Sequence, residues 1–328
     1  MKEFTSAAPA TFALEGCLRQ GISGPPDPAV ATGAKIAYNY DMHGRPTEIA
    51  ILSADATLRR VGYEWNRLGQ LASRTLEGFG IPTDESKVTQ AAFTGFGADS
   101  VTQTYVYDAL GRLAEVVCPA APSLAESYSY DASGNITRKQ VGGKVTTMTY
   151  DLANQLATRT VEGLGEWTYE YDRAGRMIRE LAPDNAGVGA KSFTYGYLDK
   201  VLAVSEGGTE IARFDYGADG LLAAKTKDGT TTPWLWDGIA LAARGAESFV
   251  NEPHASGGTP LLHSTPNGPD SFPVADFLGT SLASIDATDS GNVENLLLAS
   301  LGQGSEALDA SARFTGKPYD EDLGAFVF

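Results

Sequence analysis

Residues 128–135 read Tyr-Ser-Tyr-Asp-Ala-Ser-Gly-Asn, and this stretch decides the fold. Its two tyrosines lie two positions apart, so in a strand both side chains point to the same face. Asp131 begins a turn, because its carboxylate can accept backbone N–H groups just ahead of it. Gly134 suits the left-handed conformation that closes a type I turn with a bulge. The stretch therefore predicts a strand that ends in a tight hairpin turn.

The same unit recurs along the chain as aromatic-x-aromatic-Asp-x-x-Gly followed by Arg or Asn. The second aromatic of the near-complete copies is Tyr40, Tyr107, Tyr130 or Tyr171, and that of the weaker copies is Trp65, Tyr150, Tyr197, Tyr216 or Trp236. The copies follow one another at a spacing of about 21 residues, which is typical of a repeat architecture. One double-length step contains residues 82–86 and predicts an extended hairpin loop.

Second strands and second reversals lie between these units. Residues 136–141 predict a returning strand, Gly142-Gly143 predicts a two-residue hairpin turn, and residues 144–150 predict the next first strand. Gly207-Gly208 and Asp228-Gly229 occupy the same place further on. Nine repeats with two antiparallel strands each make about eighteen strands, too many for an open twisted sheet that does not curl or stack.

The two faces of this sheet are predicted to differ in polarity. The aromatics occupy one face, whereas the residues between them are polar or small, namely Asn39, Ser129, Thr149, Glu170 and Gly196. A long sheet with one apolar and one polar face suits the wall of a container. We therefore predict an all-β fold of tandem antiparallel hairpins that form a spiral sheet or partial shell.

The units resemble the YD repeats of the RHS family, which includes bacterial RHS proteins, toxin-carrying subunits of insecticidal toxin complexes and the animal teneurins. The resemblance covers roughly residues 36–328. Segments 236–241, 276–280 with 289–293, and 313–324 are similar, in family order, to those that lead into the RHS-associated core signature.

The resemblance implies a sheet that spirals into a hollow shell, often around a C-terminal toxin that is cut free by an aspartyl self-cleavage centre built on DPxG-type motifs beyond the core signature. The sequence contains no DPxG motif and stops at Phe328. Self-cleavage and toxin activity are therefore not expected of this chain, which we interpret as a truncated or orphan copy or a fragment of a longer shell.

Four parts of the chain are predicted. Residues 1–35 form an irregular lead-in, residues 36–237 the YD-repeat sheet, residues 238–312 degenerate repeats and loops, and residues 313–328 the start of the core signature. The last two parts are expected to be irregular.

Composition narrows the classes of partner. A formal net charge of −16 repels phosphate backbones and anionic lipid, so nucleic acid and membrane surfaces are not expected partners. Cys17 and Cys118 lie far apart without a CxxC or His cluster, which predicts two reduced thiols. No signal peptide and no bilayer-spanning run is evident, so the compartment stays open and export by a dedicated system is compatible with the sequence.

No catalytic, cofactor-binding or metal residue is predicted. The repeated aspartates are interpreted as turn caps instead of paired catalytic carboxylates or calcium ligands. Asp320, Glu321 and Asp322 are interpreted as a solvated turn instead of a cation site. The remaining candidates lack a nucleophile elbow or a third glycine, and they are His43, His254 and His263, Ser256 and Ser264, and the loop Gly95-Phe96-Gly97.

The predicted function is that of a structural shell or scaffold, not an enzyme, and it needs no cofactor. The expected partner is a C-terminal toxin or effector passenger, or another segment of the shell. Two alternatives stay open. One is a cell-surface adhesion or carbohydrate-binding module that uses exposed Tyr and Trp side chains, although periodic aromatics in strands are usually core. The other is the remnant of a self-cleaving aspartyl autoprotease shell.

Overall fold

The computed structural model describes residues 12–13, 34–53, 56–81, 98–184, 187–251, 260–266, 268, 270–276, 278, 280–286, 293–295 and 319–326.

Within these residues the chain forms 26 β-strands, two short 3-10 helices and no α-helix. The strands are β1 (Phe12–Ala13), β2 (Ala34–Tyr40), β3 (Pro46–Ser53), β4 (Ala56–Trp65), β5 (Leu71–Ile81), β6 (Ala98–Tyr107), β7 (Leu113–Val117), β8 (Glu126–Tyr130), β9 (Ile136–Val141), β10 (Lys144–Tyr150), β11 (Leu156–Val161), β12 (Gly165–Tyr171), β13 (Met177–Leu181), β14 (Lys191–Tyr195), β15 (Val201–Glu206), β16 (Thr209–Tyr216), β17 (Leu222–Lys227), β18 (Thr230–Asp237), β19 (Ala240–Arg244), β20 (Glu247–Asn251), β21 (Pro260–Ser264), β22 (Ser271–Ala275), β23 (Ser281–Asp286), β24 (Val293–Asn295), β25 (Tyr319–Asp320) and β26 (Ala325–Phe326). The 3-10 helices span Pro122–Leu124 and Tyr197–Asp199.

Strands β1 to β24 form one antiparallel sheet in which every strand pairs with its neighbours in sequence. In the described part of the chain the sheet is open, because the strands at its two ends do not pair with each other. The predicted all-β fold of sequential hairpins is confirmed. There are more strands than the eighteen expected, because hairpins continue past residue 237. Strand pairing therefore does not separate residues 36–237 from residues 238–312. The division into four parts stays a prediction.

The turn after each first strand has the predicted bulged form. The N–H of Asp131 donates to the carbonyl of Asn135 at 2.9 Å, and the N–H of Gly134, at φ 93°, donates back to Asp131 at 3.2 Å. One carboxylate oxygen of Asp131 accepts the N–H of Asn135 at 2.8 Å, and the other accepts its side-chain amide at 2.9 Å. The Asn135 hydrogen bonds lower the pKa of Asp131. In three other copies an arginine guanidinium replaces the amide, at Arg45, Arg112 and Arg176.

In seven repeats the second aromatic donates a hydrogen bond to a backbone carbonyl of the preceding repeat. The hydroxyl of Tyr130 donates to the carbonyl of Leu113 at 2.7 Å, and the guanidinium of Arg112 lies 4.4 Å from the centre of its ring. The same donor contact joins Trp65 to Pro46, Tyr107 to Leu71, Tyr150 to Ile136, Tyr171 to Leu156, Tyr195 to Met177 and Trp236 to Leu222. We call this series the aromatic ladder. It explains why an aromatic with a polar tip directly precedes the turn aspartate.

The prediction that Tyr197 is the second aromatic of its repeat is wrong. Tyr195 ends β14 and makes the ladder hydrogen bond to Met177, whereas Tyr197 lies in the turn with 91% of its surface exposed. The turn runs from Gly196 to Lys200 and uses the same backbone hydrogen bond as the aspartate turns. Gly196 stands where most repeats have aspartate. The repeat was therefore aligned two residues too late, on Tyr197 instead of Tyr195.

The two faces of the sheet differ as predicted. One face, which we call the inner face, carries the cross-strand row Ile49, Val61, Leu76 and Val101, and all four side chains are buried. The opposite face carries threonine pairs whose hydroxyls lie within hydrogen-bonding distance, namely Thr75 with Thr102, Thr149 with Thr158, and Thr226 with Thr231.

The sheet curls until its far end lies on the inner face of its beginning. Val274 of β22 and Ile285 of β23 are buried in one apolar cluster with Ile49, Val61 and Leu76 of β3 to β5. These contacts bury apolar side chains from both ends of the sheet, and such burial stabilises the fold. The wall therefore folds back on itself, with a packed core where its ends meet.

Candidate functional site at the lysine seat

A second apolar cluster lies under β15 to β20. Its buried members are Val204, Ala212, Phe214, Leu222, Trp234, Leu241 and Phe249. Leu323, from the hairpin formed by β25 and β26, packs against this cluster. The hairpin is a separate two-stranded sheet and does not extend the wall.

Three lysines surround the point where the hairpin contacts the wall. Lys225 pairs across the strands with Phe214, and its ammonium lies 5.6 Å from the centre of that ring. Lys227 follows two positions later, so alternation places it on the same face of β17. Lys191 begins β14. We call Lys191, Lys225 and Lys227 the lysine seat.

The seat holds two aspartates of the hairpin. Asp320 and Asp322 are only 4% and 7% exposed. The Lys225 ammonium lies 2.6 Å from a carboxylate oxygen of each, and the Lys227 ammonium lies 2.9 Å from the other oxygen of Asp322. The Lys191 ammonium donates to the Asp322 carbonyl at 3.3 Å.

Asp320 has two tasks in this arrangement. One of its oxygens accepts the backbone N–H groups of Asp322 and Leu323, at 3.1 and 3.0 Å. The N–H of Gly324, at φ 66°, donates to the Asp320 carbonyl at 2.8 Å and closes the turn. The other oxygen binds Lys225. The aspartate thus caps its own turn, as the repeat aspartates do, and also joins the hairpin to the wall.

The electrostatics of the seat favour the ionised aspartate. Burial raises the pKa of Asp322, but hydrogen bonds from Lys225 and Lys227 outweigh burial and hold the pKa below its ordinary value. The hydrogen bond with Asp322 in turn raises the pKa of Lys227. A partly buried ion pair offsets its desolvation only when the geometry is good and further hydrogen bonds are made, and Asp320 meets both conditions.

The interpretation of residues 320–322 as a solvated turn is wrong for two of the three. Glu321 is exposed, whereas Asp320 and Asp322 are buried against the seat. Their lysine partners lie 95 residues earlier in the chain, so no local pattern could show the pairing.

The other candidate residues do not assemble into a site. His43 is exposed in the first repeat turn, and His263 stacks on Phe249 with ring centres 4.7 Å apart. The free thiol of Cys118 is buried in the first apolar cluster. Residues 17, 82–86, 95–97, 254 and 256 lie outside the described residues. No group of three metal-ligating side chains and no helix able to span a membrane occurs in the described ranges.

A buried polar group near the first cluster was not predicted. The guanidinium of Arg74 donates to the Gln103 amide oxygen at 2.9 and 2.6 Å, and the Gln103 amide donates to the Leu124 carbonyl at 3.1 Å. Arg74 lies two residues before Leu76 in β5, so strand alternation places it on the inner face. This placement could have been predicted from the sequence. These hydrogen bonds join β5, β6 and the 3-10 helix at Pro122–Leu124, so the group links three elements of the fold.

Comparison with known proteins gives the following likenesses. Residues 84–232 match the Teneurin YD-shell family. The chain is 30% identical over 176 residues to double-stranded DNA deaminase toxin A of Burkholderia cenocepacia (strain H111), and the aligned part makes up 51% of this chain and 11% of that protein. It is 24% identical over 193 residues to tRNA nuclease WapA of Bacillus subtilis (strain 168), and the aligned part makes up 57% of this chain and 8% of that protein. The chain thus spans about a tenth of the length of these relatives.

Among solved structures, the chain is similar to TcdB2-TccC3 without its hypervariable C-terminal region, with a TM-score of 0.43 and 14% identity, over 90% of this chain and 18% of that one. A second structure of TcdB2-TccC3 gives a TM-score of 0.33 and 12% identity, over 90% of this chain and 25% of that one.

Proposed function

We propose that this chain, whose residues 84–232 carry the Teneurin YD-shell pattern, is one curved segment of the wall of a protein shell that holds a passenger. The observation that carries the proposal is the 24-stranded sheet of the described residues, antiparallel throughout, with an apolar inner face and a hydroxyl-rich opposite face. Such a sheet grows by adding hairpins at its edge, because each new strand needs only the strand before it.

The dimensions support a segment of a shell instead of a whole container. With strands about 4.8 Å apart, 24 strands make a strip about 115 Å long. Bent into one ring, such a strip is about 35 Å across, and facing side chains occupy about 10 Å between packed sheets. The remaining space is too small for a folded domain. A shell with a useful lumen therefore needs further turns of sheet from elsewhere.

The relatives support the identity of the passenger. Two proteins that match this chain are named as a DNA deaminase toxin and a tRNA nuclease, and each is far longer than the matched part. We infer that the wall's partner is a C-terminal toxin or effector, or an adjoining shell segment, and that the chain is delivered by an export system. The role of the wall itself is structural and not enzymatic.

The aromatic side chains do not favour the carbohydrate-binding alternative. Sugar stacking needs a free ring face and free polar tips. In the ladder, Tyr130 and Tyr195 donate their hydroxyls to backbone carbonyls and have the guanidinium groups of Arg112 and Arg176 over their rings. In these two residues the ring face and the polar tip are therefore already occupied by contacts that join repeats.

Spin-label distances test the curved wall directly. Met42 and Leu278 lie at exposed turn tips, between β2 and β3 and between β22 and β23. Twenty strand spacings separate these turns, which is about 96 Å in a flat strip. We expect a distance below about 40 Å by electron–electron double resonance in a chain whose native cysteines are replaced by serine. A distance near the flat-strip value, or two helical segments in place of β2 and β3, contradicts the proposal.

A further inference from the structure

Among the described residues, no strand pairing joins the C-terminal hairpin to the wall. The backbone of β25 pairs with that of β26, the three lysines of the seat bind Asp320 and Asp322, and Leu323 packs against the second apolar cluster. Residues 296–318 connect the hairpin to β24. Because no strand ladder holds the hairpin, its docking depends on the lysine contacts and on Leu323.

We propose that the lysine seat is a peptide-recognition site for a short acidic hairpin of the form Asp-x-Asp-Leu, and that it also binds this hairpin when a second molecule supplies it. This inference goes beyond the proposed wall function, because the seat can recognise such a peptide whether or not the wall encloses a passenger.

The chemistry of the ligand follows from the contacts. Two carboxylates two positions apart converge on one ammonium, that of Lys225, and Lys227 adds a second contact to Asp322. Asp320 preorganises the turn by accepting two backbone N–H groups, which lowers the entropy lost on binding. Aspartate suits this task because its short side chain reaches backbone groups just ahead. Leu323 then enters the apolar cluster under β15 to β20.

Exchange is tested on the full-length chain. The variant D320N/D322N loses both charges that hold the hairpin, so we expect its seat to be open. A fluorescein-labelled peptide of residues 317–326 is titrated against this variant, and fluorescence anisotropy is followed. We expect saturable binding that is at least tenfold tighter than binding to the unaltered chain, whose own hairpin occupies the seat. Equal binding to both chains overturns the proposal.

Two controls separate recognition from nonspecific attraction. A peptide with both aspartates replaced by asparagine should bind at least tenfold more weakly, and this comparison leaves the fold of the chain untouched. In the D320N/D322N chain, K225A should abolish binding, whereas K144A, at an exposed position of β10, should not. Circular dichroism confirms that each variant is folded. If the asparagine peptide binds as well as the native one, or the D320N/D322N chain is folded and binds neither, the seat is not a recognition site.

Discussion

The ammonium group of Lys225 lies 2.6 Å from a carboxylate oxygen of Asp320, although 95 residues separate the two in sequence. The lysine belongs to the wall, and the aspartate belongs to a hairpin that makes no strand pairing with it. No strand pairing fixes the position of the hairpin relative to the wall, so this side-chain contact helps to hold the two together. It makes the attachment of the hairpin dependent on charge.

Replacing Lys225 by alanine should release the hairpin. The change leaves the mostly buried Asp320 carboxylate without its lysine and Asp322 paired with Lys227, and breaking such a pair costs about 3–5 kcal/mol. We expect amide hydrogens of residues 319–326 to exchange at least tenfold faster while those of β2 to β13 are unchanged. Lys227→Ala should have a smaller effect, because 48% of that side chain is exposed. Unchanged exchange in the Lys225 variant contradicts the assignment.

Hairpin docking should resist mild acid. The pKa of Asp322 is lower in the docked state than its ordinary value of 3.8, so its contribution is fully present above about pH 4 and is lost as the pH falls through the lowered value. Hydrogen exchange of residues 319–326, corrected for intrinsic rates, should show constant protection from pH 8 to pH 5. Loss of protection near pH 6 would mean that a different group controls docking.

Removal of one ladder hydroxyl should weaken the wall by a predictable amount. Tyr130→Phe deletes the donor to the Leu113 carbonyl and should lower the free energy of unfolding in urea by about 1 kcal/mol. Tyr197→Phe is the matched control, because that side chain is 91% exposed in a turn, and its effect should be near zero. Equal effects of the two substitutions would show that the ladder bonds do not stabilise the sheet.

Substitution of the glycine that closes the repeat turn should change the free energy of unfolding through backbone conformation alone. Gly134 has φ 93°, and no atom lies within 4 Å of the place that an added Cβ would occupy. Gly134→Ala should therefore cost about 1–3 kcal/mol through strain and not through collision. Asn154 occupies the same turn position at φ 64°, and Asn154→Gly relieves that backbone but removes the acceptor of the Asn135 side-chain amide, so its net effect in the same urea titration should be smaller than that of Gly134→Ala. A neutral Gly134→Ala would contradict the assigned turn.

The contact between the two ends of the sheet should depend on Val274. This side chain is 1% exposed in the first apolar cluster, and Val274→Asp places a charge there without a partner. We expect the distance between spin labels at positions 42 and 278 to lengthen and broaden. Val106→Asp, at a side chain that is 41% exposed, is the control and should leave that distance unchanged.

Much of the wall could be predicted from local spacing. Tyr130, Asp131 and Gly134 act within one hairpin, so their roles follow from alternation and turn chemistry. The same logic failed at Tyr197, because Gly196 stands where the pattern expects aspartate, and only the ladder contact of Tyr195 shows the true register. The burial of Asp320 was missed, because its partner Lys225 belongs to a different strand far away in sequence.

The sequence by itself determined the hairpins, their bulged turns and the face to which most repeat aromatics point, because these depend on residues within a few positions of one another. Tertiary structure alone decided that Val274 shares a core with Ile49 and that Asp320 reaches Lys225. The physical reason is that curvature accumulates in small twists over 24 strands, and the residues that finally meet are set by that sum and not by any local pattern.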